Sequence, residues 1–234
     1  MFQFKQFAIQ QDKCAMKVGT DGVLLGAWSP VEHKPFSILD IGAGTGVIAL
    51  MLAQRSHAEQ IDAIEIDDDA YEQAVDNFEN SPWGDRLFCY HAGLDEFMEE
   101  PEDEYDLIVS NPPFYTDGYF SGDEQRDKAR FTESLPFEDL VEASAILLSE
   151  NGVLAVIIPF KEEEKFIALA QEEELYPFKV TRVKGTPTTE IKRSLIAFSR
   201  DKKEIAIDEL TIEVERHNYT REYISLTKDF YLKM

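Results

Sequence analysis

A chain of 234 residues with 44% apolar residues can build one sizeable α/β domain, and its two isolated cysteines, Cys14 and Cys89, exclude a disulfide framework or a zinc site of ordinary spacing. No stretch approaches the ~20 apolar residues of a membrane-spanning helix, and the N-terminus lacks the apolar core of a secretory signal, so a reduced, cytoplasmic protein is expected. The net charge of −23 would repel nucleic acid if it were uniform, but residues 59–106 carry eighteen acidic residues against Arg86 alone, while residues 179–203 carry eight basic residues against two acidic ones.

Residues 1–35 form a lead-in, expected to pack on a main domain of residues 36–234. Alternation over 4–9 suggests a strand, and "TDGVLLGAWSP" reads as a short apolar helix, capped by Thr20 or Asp21 and stopped by Pro30. Strand and helix patterns then alternate. A strand at 36–40 leads through a glycine-rich loop into a helix at 45–54 that is apolar all round. Gly42, Gly44 and Gly46 are spaced Gly-x-Gly-x-Gly. The dinucleotide fingerprint has its third glycine one residue later, where this chain has Val47. A ligand smaller than a dinucleotide is implied, such as an amino-acid moiety with an attached sugar. Asp40, just before the loop, is placed to meet an ammonium group. The next strand, 60–66, carries Glu65 near its end, where a carboxylate can accept from both ribose hydroxyls.

A helix at 69–78 and a strand at 87–90 follow. The acidic run at 95–106 reads as a solvated face. The fourth strand of the alternation, 105–109, ends in Asn111-Pro112-Pro113-Phe114. The exocyclic amine of a base is a poor nucleophile because its lone pair is delocalised into the ring. Two acceptors on its hydrogens favour a tetrahedral nitrogen. The Asn111 amide oxygen and the Pro112 carbonyl suit that task, since paired prolines stiffen the loop. The Phe114 ring can stack on a flipped-out base. Arg126, Lys128 and Arg130 come shortly after, as candidate phosphate contacts.

Helices at 137–148 and 162–174 flank a strand at 153–158. Strand-like runs at 178–184 and 194–198 are joined by too few residues for a crossover helix and form an antiparallel pair. This basic hairpin, with Lys192 and Arg193, is the second candidate for phosphate contacts. Tyr219, Tyr223, Leu226 and Phe230 fall at helical spacing and read as a docking face. Alternating strands and helices imply a mostly parallel sheet covered on both faces, with ligands beyond its carboxyl edge.

Asp-Ile-Gly-Ala-Gly-Thr-Gly with Glu65 downstream resembles the S-adenosylmethionine loop and ribose acid of the class I methyltransferases. That resemblance implies a Rossmann-like, seven-stranded, mostly parallel sheet with its last strand antiparallel, plus a short N-terminal extension. Ile108–Phe114 resembles the amino-methyltransferase signature, which serves adenine-N6, guanine-N2 and protein-glutamine methylation alike. The segments 4–28, 126–132 and "NYTREYISLTKDFYLKM" resemble the bacterial tRNA (adenine-N6)-methyltransferases that modify adenosine 37 of a valine tRNA, and the likeness covers nearly the whole chain.

Carried over by position, Asp40, Gly42, Gly44, Gly46, Glu65 and Asn111 would bind S-adenosylmethionine, and Asn111, Pro112 and Phe114 would hold the adenine. The expected partner is tRNA, with no membrane and no metal, and a monomer is favoured. Two positions depart from the family. Phe114 stands where Tyr is usual, and Gly93 where relatives often carry an Asp to the donor's adenine amine, a role left to nearby backbone or Asp95. Guanine-N2 or protein-glutamine methylation through the same loop is the alternative within the class. A non-catalytic donor-binding RNA module is the alternative outside it, disfavoured by the intact Asn111.

Overall fold

The computed structural model describes residues 1–14, 16–99, 104–113 and 135–234. The elements run β1 (Phe2–Gln3), β2 (Ala8–Ile9), α1 (Thr20–Trp28), β3 (Ser37–Ile41), α2 (Val47–Arg55), β4 (Gln60–Glu65), α3 (Asp68–Glu79), β5 (Leu87–His91), α4 (Leu94–Phe97) and β6 (Tyr105–Ser110). Then follow α5 (Phe137–Leu147), β7 (Leu148–Pro159), α6 (Glu163–Glu172), β8 (Tyr176–Lys184), β9 (Ile191–Ser199), β10 (Ala206–Thr211), β11 (Glu213–Glu215), β12 (Asn218–Tyr219) and α7 (Arg221–Thr227).

Among the described residues the central sheet has eight strands in the order β10-β8-β9-β7-β6-β3-β4-β5. The five strands from β7 to β5 are parallel. β9 is antiparallel to both neighbours, so β8 runs the same way as β7. This is the expected seven-stranded core with its last strand reversed. An eighth strand, β10, lies parallel to β8 at the edge. Only Leu210 of β10 is buried, so "AIDELT" offers no apolar alternation to read.

β3 and β6 are almost wholly buried, as parallel central strands must be. Their successive residues feed opposite layers. Ile38 and Leu107 join one apolar cluster with α1, α2, Tyr223 and Phe230, while Leu39 and Ile108 join another with α5 and α6. α3 starts at Asp67, whose side chain accepts from the Ala70 N–H at 2.8 Å.

Two stretches fold differently from their periodicity. Residues 4–9 do not form one strand: the Phe4 N–H donates to the Phe7 carbonyl, and the resulting turn splits the run into the β1–β2 ribbon. In the tail only Tyr223 and Leu226 lie on a helix. Tyr219 lies in β12 and Phe230 in the turn after α7, where it is 1% exposed.

Candidate active site

β3, β4 and β6 are in register, with Ile41 level with Ser110 on one side and Ile64 on the other. Gly42, Glu65 and Asn111 therefore emerge side by side at the carboxyl edge. The Ser110 hydroxyl donates to the Ile41 carbonyl at 2.9 Å and ties two of these strand ends together. Asn111 is half-buried there and Pro112 buried. Phe114, Arg126, Lys128 and Arg130 lie outside the described residues.

The glycine loop has three positive φ angles: 76° at Gly42, 55° at Gly44 and 74° at Gly46. A side chain at Gly42 or Gly44 would meet nothing within 4 Å among the described residues; one at Gly46 would strike the Phe78 ring. Gly46 is thus a packing glycine, and its N–H is already given to the Ala43 carbonyl at 2.9 Å.

Glu65 holds the loop in place. Its Oε2 accepts from the Gly44 N–H at 2.7 Å and its Oε1 from the Asp67 N–H at 2.9 Å. Each carboxylate oxygen keeps capacity for a further donor. Asp40 is fully buried. Its Oδ2 accepts from the Ala49 N–H in the first turn of α2 at 3.1 Å, and its Oδ1 has no partner among the described residues. Burial pushes this carboxyl up to about 7, against the Ala49 N–H and with a smaller push from Glu65. A buried carboxyl oxygen without a partner among the described residues thus lies two residues before Gly42.

Two residues of this arrangement were missed by the sequence reading. Asn77 donates to the Thr45 carbonyl of the glycine loop at 2.9 Å and to the Gln10 carbonyl at 3.0 Å, and accepts from the Gln10 N–H at 2.8 Å. Gln73 accepts from the Lys13 N–H at 2.8 Å. Both side chains are almost fully buried and clamp the lead-in across the glycine loop. The readable signal was a pair of amides four residues apart, on the side of α3 that also carries Ala74 and Phe78. Cys14, on the clamped segment, has its thiol pushed up to about 11 by burial first and by Glu65 next.

At Gly93, which precedes α4, the space a side chain would begin to fill is taken by Asp95, whose Oδ1 lies 2.7 Å from the Cβ position. The basic segment is largely spent inside the molecule. Arg182 pairs with the buried Glu163 at 2.6 Å and Lys184 with Glu209 at 2.7 Å. Lys179 lies 4.4 Å from the centre of the Trp28 ring, and Arg200 donates to the Ala145 carbonyl. Arg193 sits at the carboxyl edge, level with Pro159, and its Nε is 2.7 Å from Asp21 of α1. Lys192 beside it is exposed and, among the described residues, makes no ion pair.

The profile of the methyltransferase small domain family matches residues 23–172. A tRNA1(Val) (adenine(37)-N6)-methyltransferase from Flavobacterium johnsoniae is 77% identical over 235 residues, covering 100% of both chains. One of the same name from Parabacteroides distasonis is 47% identical over all of this chain and 98% of its own. Among solved structures, a protein described as a predicted O-methyltransferase from Agrobacterium tumefaciens superposes with a TM-score of 0.70 at 19% identity, over 90% of this chain and 96% of its own, a likeness of fold. With its glycine loop, strand-end acid and Asn-Pro-Pro turn in one row, and with full-length relatives of a single name, this chain belongs to the tRNA1(Val) (adenine(37)-N6)-methyltransferase family.

Proposed function

We propose that the protein transfers the methyl group of S-adenosylmethionine to the N6 amine of adenosine 37 in a valine tRNA, in the cytoplasm. The observation that carries this reading is the row of Gly42, Glu65 and Asn111 at one sheet edge, backed by the unpartnered Oδ1 of Asp40. The residues present fit the donor. Gly42 and Gly44 leave room for its amino-acid portion, and Asp40 supplies a buried charge for its ammonium, directly or through water. Glu65 offers its remaining lone pairs to the ribose hydroxyls. Asp95, standing in for a side chain at position 93, takes the adenine amine.

S-adenosylmethionine supplies an electrophilic methyl group on a sulfonium sulfur. The chain supplies position and polarity. Asn111 Oδ1 and the Pro112 carbonyl accept the two N6 hydrogens, draw the nitrogen toward tetrahedral geometry and free its lone pair. Phe114 provides the stacking ring for the flipped base. Lys192, with Arg126, Lys128, Arg130 and Arg193, which also pairs with Asp21, meets the RNA backbone. The test is nucleoside mass spectrometry of an unmodified valine tRNA transcript incubated with the protein and methyl-labelled donor. Label in N6-methyladenosine is expected. Label only in N2-methylguanosine, or only in added protein, would move the assignment to the other substrates of the Asn-Pro-Pro loop.

A further inference from the structure

A second recess opens at the catalytic edge. β8 and β10 run in the direction of β7, so the residues that follow them, Gly185 and Ile212, emerge at the same edge as Asn111. Three strand spacings separate β8 from β6, or ~15 Å. These turns, the start of α1 and the C-terminal segment enclose a cleft of about 730 Å³, within the ~300–1,000 Å³ usual for small-ligand sites. Its walls include Phe2, Tyr219 and Tyr231, and its polar groups include Thr20, Thr186 and Glu213. The rings are braced by their neighbours: Tyr219 lies 5.3 Å from Tyr223, and Phe2 lies 6.3 Å from Tyr231. Glu213 is partly engaged, its Oε1 accepting from the His217 N–H at 3.2 Å.

We infer that this cleft holds a nucleobase of the tRNA, a few nucleotides from the adenosine being methylated. The inference rests on the tRNA reading above. Half-buried tyrosine and phenylalanine rings present faces on which a base can stack. Glu213 can accept from the amine or ring N–H of a base, and Lys233, which also lines the cleft, can donate to a base carbonyl or an adjoining phosphate. The electrostatics point the same way. A chain of net charge −23, with most of its basic hairpin paired internally, has little charge for gripping an RNA backbone. Stacking supplies affinity that salt does not screen.

The probe is an unmodified valine tRNA transcript, and the readout is its dissociation constant by filter retention with S-adenosylhomocysteine present. Tyr219→Ala is expected to weaken binding about tenfold, the scale of one lost stacking contact, and Tyr219→Phe to stay within about twofold of wild type because the ring is kept. Donor affinity should be equal in all three. Wild-type binding by Tyr219→Ala overturns the cleft. If Tyr219→Ala does not fold, 4-thiouridine placed on either side of the target adenosine decides in wild type. Crosslinks to residues 211–220 support the proposal, and crosslinks confined to other peptides overturn it. Adenosine monophosphate binding that needs Tyr219, with tRNA binding indifferent to it, assigns the cleft to a free nucleotide and also overturns the proposal. Wild-type protein that binds the transcript tightly but does not methylate it removes the proposed function and not the cleft.

Discussion

Asp40 is a carboxyl group kept out of water with one oxygen unanswered, so its protonation should be linked to both folding and binding. Its value in the folded protein is raised from 3.8 to about 7, so between those values the folded chain holds more protons than the unfolded one. The contribution of this group to stability is therefore largest at low pH and falls as pH rises through that window. In the free protein, Asp40→Asn should flatten that fall, as read by denaturant midpoints across the window. A cationic ligand group reverses the preference, so donor affinity should rise as pH increases through about 7 with release of a proton. Calorimetry in two buffers of different ionisation enthalpy reads that proton, and Asp40→Asn should abolish the pH dependence. Asn111→Ala should leave donor affinity within about threefold yet lower single-turnover transfer about a hundredfold, because it removes an acceptor that matters as the nitrogen changes geometry. Unchanged transfer would sink the amine-clamp mechanism.

The lead-in joins the main apolar cluster through Phe4, Phe7, Ile9 and α1, while its segment 10–13 is tied to α3 by buried polar contacts whose loss should be felt locally. Asn77→Ala leaves two carbonyls and one N–H without this partner, at roughly 1–3 kcal/mol for each group that water cannot reach. The expected result is faster amide exchange in residues 8–14 and weaker donor binding, with the protection of β3 and β6 retained. Uniform loss of protection across the sheet would show instead that the lead-in and the core unfold together. Asp21 and Arg193 form a second tie, joining α1 to the start of β9. Arg193→Glu would set two carboxylates against each other, whereas the double exchange Asp21→Arg with Arg193→Glu should recover most of the loss in thermal midpoint. Recovery of stability without recovery of tRNA affinity in the double exchange would make Arg193 an RNA contact as well.

Across the whole molecule charge is distributed unevenly, and the pairing of the basic hairpin limits how much of it RNA can use. Lys192 is its exposed cation at the catalytic edge. Lys192→Glu should weaken binding of the valine tRNA transcript and flatten the log–log salt slope by about 0.7–0.9, one phosphate contact. Donor affinity should not change. An identical salt series for wild type and variant would move the phosphate contacts away from β9.

Local pattern was enough for much of this molecule. The glycine triplet at 42–46, the acid at the end of the next strand and the Asn-Pro-Pro turn each declare themselves within a few residues, because tight turns and strand ends are set by backbone geometry. Alternation of apolar runs then dictated a mostly parallel sheet, which by topology alone brings Gly42, Glu65 and Asn111 to one edge. The fate of individual polar groups was not written locally. Nothing local showed that Arg193 would meet Asp21, 172 residues earlier, and Gln73 and Asn77 became clamps when the lead-in crossed them from 60 and 67 residues away. Gly46 belongs to the donor motif by spacing, yet the structure packs it against Phe78. β10 and the aromatic cleft likewise arise from segments far apart in the chain. Burial and pairing depend on which distant groups arrive, and only the folded chain decides that.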